Sequence, residues 1–159
     1  MSARNNEQPE LQTCETRSTR APLRTSIGIA DCLVVSPDAL RCNCLSEVAE
    51  DAGWQVARAE QIDAALALTE RIKFRLAIVD LAPCRKPNEE RFRDLARRLA
   101  GDERSLLSVI GREGDPAQEI FARSIASWLY LPDIGNPTEL SSIFRQAREI
   151  QRTIGPSIG

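Results

Sequence analysis

"RLAIVDLAPC", residues 75–84, is the stretch that decides the fold. It is an apolar run of strand length that ends in a carboxylate, Asp80, and a proline and a cysteine follow closely. A run this continuously apolar is typical of a strand buried on both faces, as in a parallel sheet. Because parallel sheets bind ligands at the carboxyl ends of their strands, Asp80 is either a reactive acid at that edge or the remnant of one.

Upstream of this stretch, apolar periodicity predicts two strands, each followed by a helix. The first helix opens at Ser36, Pro37 and Asp38, which supply an N-cap, a proline at the first helical position and an acid in the first turn. The predicted elements are a strand at 30–35, a helix to about residue 52, a strand at 54–59 and a helix at 61–72. The inner face of the first helix is predicted to carry Leu40, Cys44, Leu45 and Val48.

Downstream, the alternation of strand and helix continues to the last helix. The predicted elements are a strand at 76–81, a helix at 88–99, a strand at 106–110, a helix at 115–125, a strand at 128–131 and a helix from residue 137. The inner stripe of the last helix is predicted as Leu140, Ile143, Phe144, Ala147 and Ile150. Five strand-then-helix units with short connections predict a parallel sheet with helices on both faces.

Composition sets the class of protein. Of 159 residues, 42% are hydrophobic and 28% charged, as in an ordinary soluble domain. Residues 1–26 are polar and without apolar periodicity, so we predict a disordered tail, one domain at 27–154 and a short tail at 155–159. We find neither a signal peptide nor an apolar stretch of membrane-spanning length, which predicts a cytoplasmic protein.

Several kinds of chemistry are disfavoured. A net charge of −2 gives no reason to expect nucleic acid or a membrane as partner. The sequence contains no histidine, which removes imidazole as a base or metal ligand. No paired CxxC motif is present, so we expect no metal site and structural roles for the five cysteines: Cys14, Cys32, Cys42, Cys44 and Cys84.

Residues 29–152 resemble the receiver domain of response regulators, the CheY-like branch of the flavodoxin-like fold. The resemblance rests on element order and on four landmarks: LVVSPD (33–38), LAIVDLAP (76–83), LLSVIGREGD (106–115) and ASWLYLPD (126–133). It implies an α/β fold, a doubly wound (βα)5 architecture whose five-stranded parallel sheet has the order 2-1-3-4-5. It also implies a bacterial two-component, phosphorelay setting.

The resemblance implies that Asp80 matches the phosphoacceptor, but the residues that should assist it differ from the family pattern. The acid pair that holds Mg²⁺ is replaced by Ser36 and Pro37, and Asp38 lies two positions late. The lysine position holds Leu131.

Two further family positions lie on the fourth and fifth strands. The switch hydroxyl position holds Gly111, which has no hydroxyl group. Trp128 fills the aromatic position, and Pro132 matches the proline that follows the family's lysine.

Phosphoryl transfer builds negative charge that Mg²⁺ and a lysine normally neutralise. Each missing contact of this kind costs on the order of 10²-fold in rate. The sequence therefore predicts a pseudo-receiver that is not an enzyme, needs no cofactor and retains Asp80 as a remnant held by backbone N–H groups or solvent.

We expect a non-catalytic signalling domain that acts through protein contact, with a protein partner or a second copy. We expect no output segment after the last helix, and therefore expect output to pass to another protein. The resemblance implies contact through the fourth helix, fifth strand and fifth helix. Alternation predicts Trp128 and Tyr130 on one side of the fifth strand, either packed under the last helix or forming a contact site. The bordering arginines are predicted to be Arg123, Arg145, Arg148 and Arg152.

Two alternatives stay open. One is a weakly phosphorylatable regulator that accepts a phosphoryl group on Asp80 with Mg²⁺. The other is a small-ligand sensor that uses the vacated pocket beside Gly111 and Leu131.

Overall fold

The computed structural model describes residues 30–154. The predicted tails and Cys14 lie outside the described residues. Within them, strands and helices alternate throughout. The elements are β1 (Cys32–Val35), α1 (Ala39–Asp51), β2 (Val56–Ala59), α2 (Ile62–Arg71), β3 (Leu76–Asp80), α3 (Asn88–Ala100), β4 (Leu106–Ile110), α4 (Pro116–Ser124), β5 (Leu129–Leu131) and α5 (Pro137–Ile154).

The five strands form one parallel sheet in the order β2-β1-β3-β4-β5. This confirms the predicted doubly wound α/β architecture and its 2-1-3-4-5 order. β3 lies in the centre of the sheet, and all five of its residues are buried. The run from Leu76 to Val79 is continuously apolar because helices cover β3 on both faces.

Two apolar clusters flank the sheet, one on each face. One cluster joins the sheet to α1 and α5 through residues such as Leu45, Leu140 and Phe144. The other joins it to α2, α3 and α4 through residues such as Ala65, Phe92 and Phe121. Successive strand residues contribute to opposite clusters, as the period of two requires. Among residues 30–154, no helix combines the length and the apolar character that crossing a membrane needs.

The caps of two helices show how the chain enters them. Asp115 caps α4 by accepting a hydrogen bond from the Ala117 N–H at 3.1 Å, and Pro116 follows it, as the sequence predicts. At α1 the predictions of Ser36 as the N-cap and of Pro37 as the first helical residue are wrong, because the helix begins at Ala39. Asp38 is the cap, because its carboxylate accepts from the Arg41 N–H at 3.1 Å.

The predicted inner face of α1 also needs correction. Leu40 is 80% exposed, and Cys44 is only half-buried. Leu40 precedes Leu45 by five residues, which places the two about 140° apart around a helix of 3.6 residues per turn. The buried face is formed by Cys42, Leu45, Ser46, Val48 and Ala49.

We predict opposite outcomes for two leucine substitutions in α1. Leu45→Ala should cost about 2–5 kcal/mol in the free energy of unfolding, since a fully buried side chain is removed. Leu40→Ser should change it by less than about 0.5 kcal/mol, as at other exposed positions. Urea unfolding followed by circular dichroism measures both. Equal costs would contradict the assignment of the buried face.

Candidate functional site at the carboxyl edge of the sheet

Asp80 ends the central strand, and its side chain has no exposed surface. Both carboxylate oxygens are hydrogen-bonded by other parts of the chain. Arg41 donates from Nε to Oδ2 at 2.6 Å and from Nη2 to Oδ1 at 3.0 Å. Ser36 Oγ donates to Oδ2 at 2.8 Å, and the Ala82 N–H donates to Oδ1 at 3.3 Å. The carboxylate is thus held mainly by an arginine and a serine, and not by backbone N–H groups or solvent alone.

Arg41 reaches Asp80 from the first turn of α1. The helix start fixes its backbone, because the Asp38 cap accepts the Arg41 N–H. Its side chain remains 25% exposed, and Nη1 lies 3.7 Å from Asp133 in the turn after β5. The hydrogen bond to Asp80 raises the pKa of the Arg41 guanidinium, while burial opposes that rise. The chain therefore places a permanently charged internal cation against the carboxylate.

Arg41 was not predicted as a site residue, because the receiver pattern assigns no cation to its position. A signal is present in the sequence. Arg41 lies in the first turn of the first helix, and that helix begins at the sheet edge where Asp80 lies. Asking which cation could neutralise a buried carboxylate would have singled it out.

The residues at the positions of the acid pair have other roles. Ser36 is fully buried and binds Asp80, whereas Asp38 caps the helix. In the part of the chain that the structure describes, no three Asp, Glu, Cys or His side chains cluster as metal ligands. A guanidinium in bidentate contact with Asp80 also repels a cation. These residues do not fit a Mg²⁺ site, which needs several oxygen ligands.

The space beside Gly111 is filled. A Cβ built on Gly111 would overlap the Tyr130 hydroxyl oxygen and lie 2.6 Å from the ring carbon Cζ. Leu131 packs against the cluster under α1 and α5, and Pro132 is exposed. The vacated pocket on which the ligand-sensor alternative depends is therefore occupied by the chain itself.

The turns after β3 and β4 are tied together. Arg112 Nη1 donates to the Ala82 carbonyl at 2.7 Å, and the Arg112 N–H donates to Gln118 Oε1 at 2.6 Å. Gln118 is fully buried, and its Nε2 donates to the Leu81 carbonyl at 3.1 Å. A side chain from α4 and one from the turn before it thus hold the backbone next to Asp80.

The predicted shared face of Trp128 and Tyr130 is wrong. Tyr130 packs against the cluster under α2, α3 and α4, whereas Trp128 packs against the cluster on the opposite side of the sheet. Trp128 precedes β5, which begins at Leu129, so strand alternation does not extend to it. The backbone at Ala126, with φ of 59°, turns the chain just before this point.

The predicted arginines fall on different sides of the molecule. Arg123 is exposed on α4 and pairs with Glu119 at 2.8 Å. Arg148 donates to the Gly53 carbonyl at 2.7 Å and lies 5.6 Å from the Trp54 ring, so it faces the end of α1 and not β5. Arg145 is exposed one helical turn earlier, on the same side of α5.

Arg152, also predicted to border β5, pairs with Glu149 on its own helix at 3.4 Å. Ile143 and Ile150 are half-buried and, by helical spacing, share a different side of α5 from Arg145 and Arg148.

A groove of about 1030 Å³ lies at the other end of the sheet, where the strands begin. The turns after α2 and α3 line it, with Phe74, Arg75 and Ser105 among its residues. It is remote from Asp80 and contributes nothing to the site.

No protein-family model matches the sequence, and no curated protein matches it. The structure is similar to a CheY-like response regulator receiver domain from Methanospirillum hungatei JF-1, with a TM-score of 0.64 and 18% identity over 78% of this chain and 97% of that one. It is similar to the chemotaxis response regulator CheY4 of Vibrio cholerae, with a TM-score of 0.60 and 19% identity over 74% and 98%.

A third similar structure is the receiver domain of NtrX from Brucella abortus, with a TM-score of 0.62 and 18% identity over 75% of this chain and 98% of that one. At these identities the likeness establishes the fold. The chain has the fold of a response-regulator receiver domain.

We predict unequal costs for removing the two partners of the ion pair. Arg41→Met leaves a fully buried carboxylate without its cation and should cost about 3 kcal/mol or more. Asp80→Asn should cost less, about 1–2 kcal/mol, because Arg41 is partly exposed and solvent can reach it. The double variant should cost less than the sum of the two single changes.

Urea unfolding of the parent, the two single variants and the double variant measures these costs. Asp133→Asn is the control. Asp133 is exposed and 3.7 Å from Arg41, so its loss should cost less than about 0.5 kcal/mol. Strict additivity of Arg41→Met and Asp80→Asn would show that the two side chains do not interact in solution.

Proposed function

We propose that this chain is a receiver-like signalling domain that acts by contact with another protein, is not an enzyme and does not depend on phosphorylation of Asp80. The observation that carries the proposal is the bidentate contact of Arg41 with Asp80. We further propose a cytoplasmic, bacterial signalling pathway as its setting. The receiver fold supports the signalling role.

The chemistry of acyl-phosphate formation supports the proposal. One carboxylate oxygen of Asp80 must attack phosphorus, but Oδ1 and Oδ2 already accept hydrogen bonds from Arg41, Ser36 and Ala82. The arriving phosphoryl group also needs cations on its own oxygens. Arg41 is held to the carboxylate instead, and the positions of the acid pair, the lysine and the hydroxyl supply no substitute.

The contact surface is the outer side of α4, β5 and the neighbouring side of α5, which we call the α4–β5–α5 surface. Its exposed members include Ile120, 66% exposed, and Arg123. Half-buried Trp128, Ile143 and Ile150 continue it. An apolar strip with a charged border is typical of a protein interface. Its occupant in this proposal is a protein, either a second copy of the chain or a different partner.

A second candidate function is weak phosphoryl acceptance on Asp80. One structure with a similar fold is described as a BeF3-activated DrrB receiver domain, with a TM-score of 0.62 and 14% identity over 76% of this chain and 97% of that one. The carboxylate at the end of β3 favours this candidate. It requires Arg41 to leave Asp80 before the reaction.

The two candidates give different results with a phosphoryl donor. We expect no Mg²⁺-dependent mass increase when the protein is incubated with acetyl phosphate, and no shift of the Asp80 or Ala82 amide resonance with beryllofluoride. Intact-mass spectrometry and amide NMR measure these, with Asp80→Asn as the control for modification elsewhere. A mass increase that Asp80→Asn abolishes would establish the second candidate.

For the contact surface, we expect Ile120→Ser to weaken association at least about tenfold, as for an apolar residue in an interface centre. Sedimentation velocity detects self-association, and chemical cross-linking with mass spectrometry detects a different partner. Leu40→Ser is the matched control, since Leu40 is also a large, exposed apolar residue but lies on α1. Association that is lost with Leu40→Ser and kept with Ile120→Ser would place the surface elsewhere.

A further inference from the structure

Gly111 and Tyr130 occupy neighbouring positions on adjacent strands. Val109 of β4 pairs with Tyr130 of β5, Ile110 pairs with Leu131, and the Gly111 N–H donates to the Leu131 carbonyl at 2.7 Å. Gly111 therefore continues the ladder just past the end of β4. The ring of Tyr130 lies across it, where a side chain at position 111 would otherwise stand.

Position 111 needs glycine for space and not for backbone freedom. The glycines with positive φ among the described residues are Gly53, Gly114 and Gly135, and Gly111 is not among them. A Cβ at position 111 would overlap the phenol oxygen and lie 2.6 and 2.7 Å from ring atoms Cζ and Cε1. Tyr130 and any larger residue at 111 therefore exclude each other.

The Tyr130 ring is half-buried, so part of it contacts the core and part faces solvent. Tyr130 packs against the cluster under α2, α3 and α4. Arg112, which follows Gly111, is fixed by its bonds to the Ala82 carbonyl and to Asp115. Burial raises the pKa of the Tyr130 phenol, and the charges of Glu119 and Asp115 add to that rise. The ring therefore lies beside the end of β4 and is influenced by charged groups of the turn after β4 and of α4.

We infer that Gly111 and Tyr130 form a steric lock, in which the phenol fills the place of the absent side chain at the end of β4 and holds β5 and the β4–α4 turn in one arrangement. The lock also holds the α4–β5–α5 surface in one conformation. This last step rests on the proposed function. The lock itself depends only on the packing of residues 111 and 130.

A double-mutant cycle tests the lock through the folding equilibrium constant. Gly111→Ala should lower it at least about tenfold, since overpacking of a filled site is costly. In a Tyr130→Val background, Gly111→Ala should leave the folding equilibrium constant unchanged or raise it. Alanine reduces the freedom of the unfolded chain, and the backbone at position 111 is not left-handed. Gly101→Ala is the control, since its Cβ would meet only the Arg98 and Arg97 carbonyl oxygens, at 3.4 and 3.8 Å.

Tyr130 is the only tyrosine in the sequence, so a second readout is unambiguous. In the parent protein, ¹³C-labelled tyrosine should titrate above its ordinary pKa, and in Gly111→Ala it should return towards that value as the ring leaves its site. If Gly111→Ala alone does not fold, the lock requires Gly111→Ala/Tyr130→Val to fold as well as Tyr130→Val.

Two results would overturn the lock. One is an equal loss in the folding equilibrium constant from Gly111→Ala in the parent and in Tyr130→Val. The other is an unchanged tyrosine resonance in a folded Gly111→Ala variant. Neither result depends on whether Asp80 accepts a phosphoryl group. Failure of the lock is therefore distinguishable from failure of the proposed function.

Discussion

A fully buried carboxylate at the end of the central strand must be neutralised, and the structure around it meets that requirement. Arg41 supplies the charge in a bidentate contact, and Ser36 and the Ala82 N–H complete the hydrogen bonds. Arg41 and Asp80 together contact the turns after β1, β3 and β5, through Ser36, Ala82 and Asp133 respectively. The chain thus neutralises this buried carboxylate with a cation of its own.

Three further side chains fill the same edge of the sheet: those of Arg112, Gln118 and Tyr130. Arg112 and Gln118 tie the turn after β4 to the turn after β3. The Tyr130 ring fills the space that glycine leaves at position 111. A site that must admit a metal ion and a phosphoryl group needs open space and free oxygens. Here both are taken by side chains, which is why we favour a contact function over a chemical one.

Sequence patterns predicted the fold well, because each buried strand is marked by an apolar run and each helix by its period. The stretch 75–84 gave the central strand, and the bounds of β4 agree to the residue. The errors occurred where two strands or a strand and a helix meet. Leu40 is apolar, but its angle on the helix turns it outward. Trp128 lies one residue before the strand whose alternation would set its side.

The site was only partly predictable. Asp80 and the departures at Ser36, Gly111 and Leu131 are visible in the sequence, because they fall on family positions. Arg41 falls on no such position. Its side chain crosses from α1 to β3, and only the need for a cation beside Asp80 points to it. The overlap of Tyr130 with position 111 likewise depends on the register of β4 and β5, which single-chain patterns do not specify.

The most direct test of the ion pair is the ¹⁵N–¹H resonance of the Arg41 Nε–H at neutral pH. The bond to Asp80 predicts a resonance protected from exchange with water, and loss of that protection in Asp80→Asn. Arg85, exposed in the turn after β3, provides the unprotected reference. An Arg41 resonance that exchanges as fast as that of Arg85 in the parent protein would contradict an Asp80 carboxylate neutralised from within the chain.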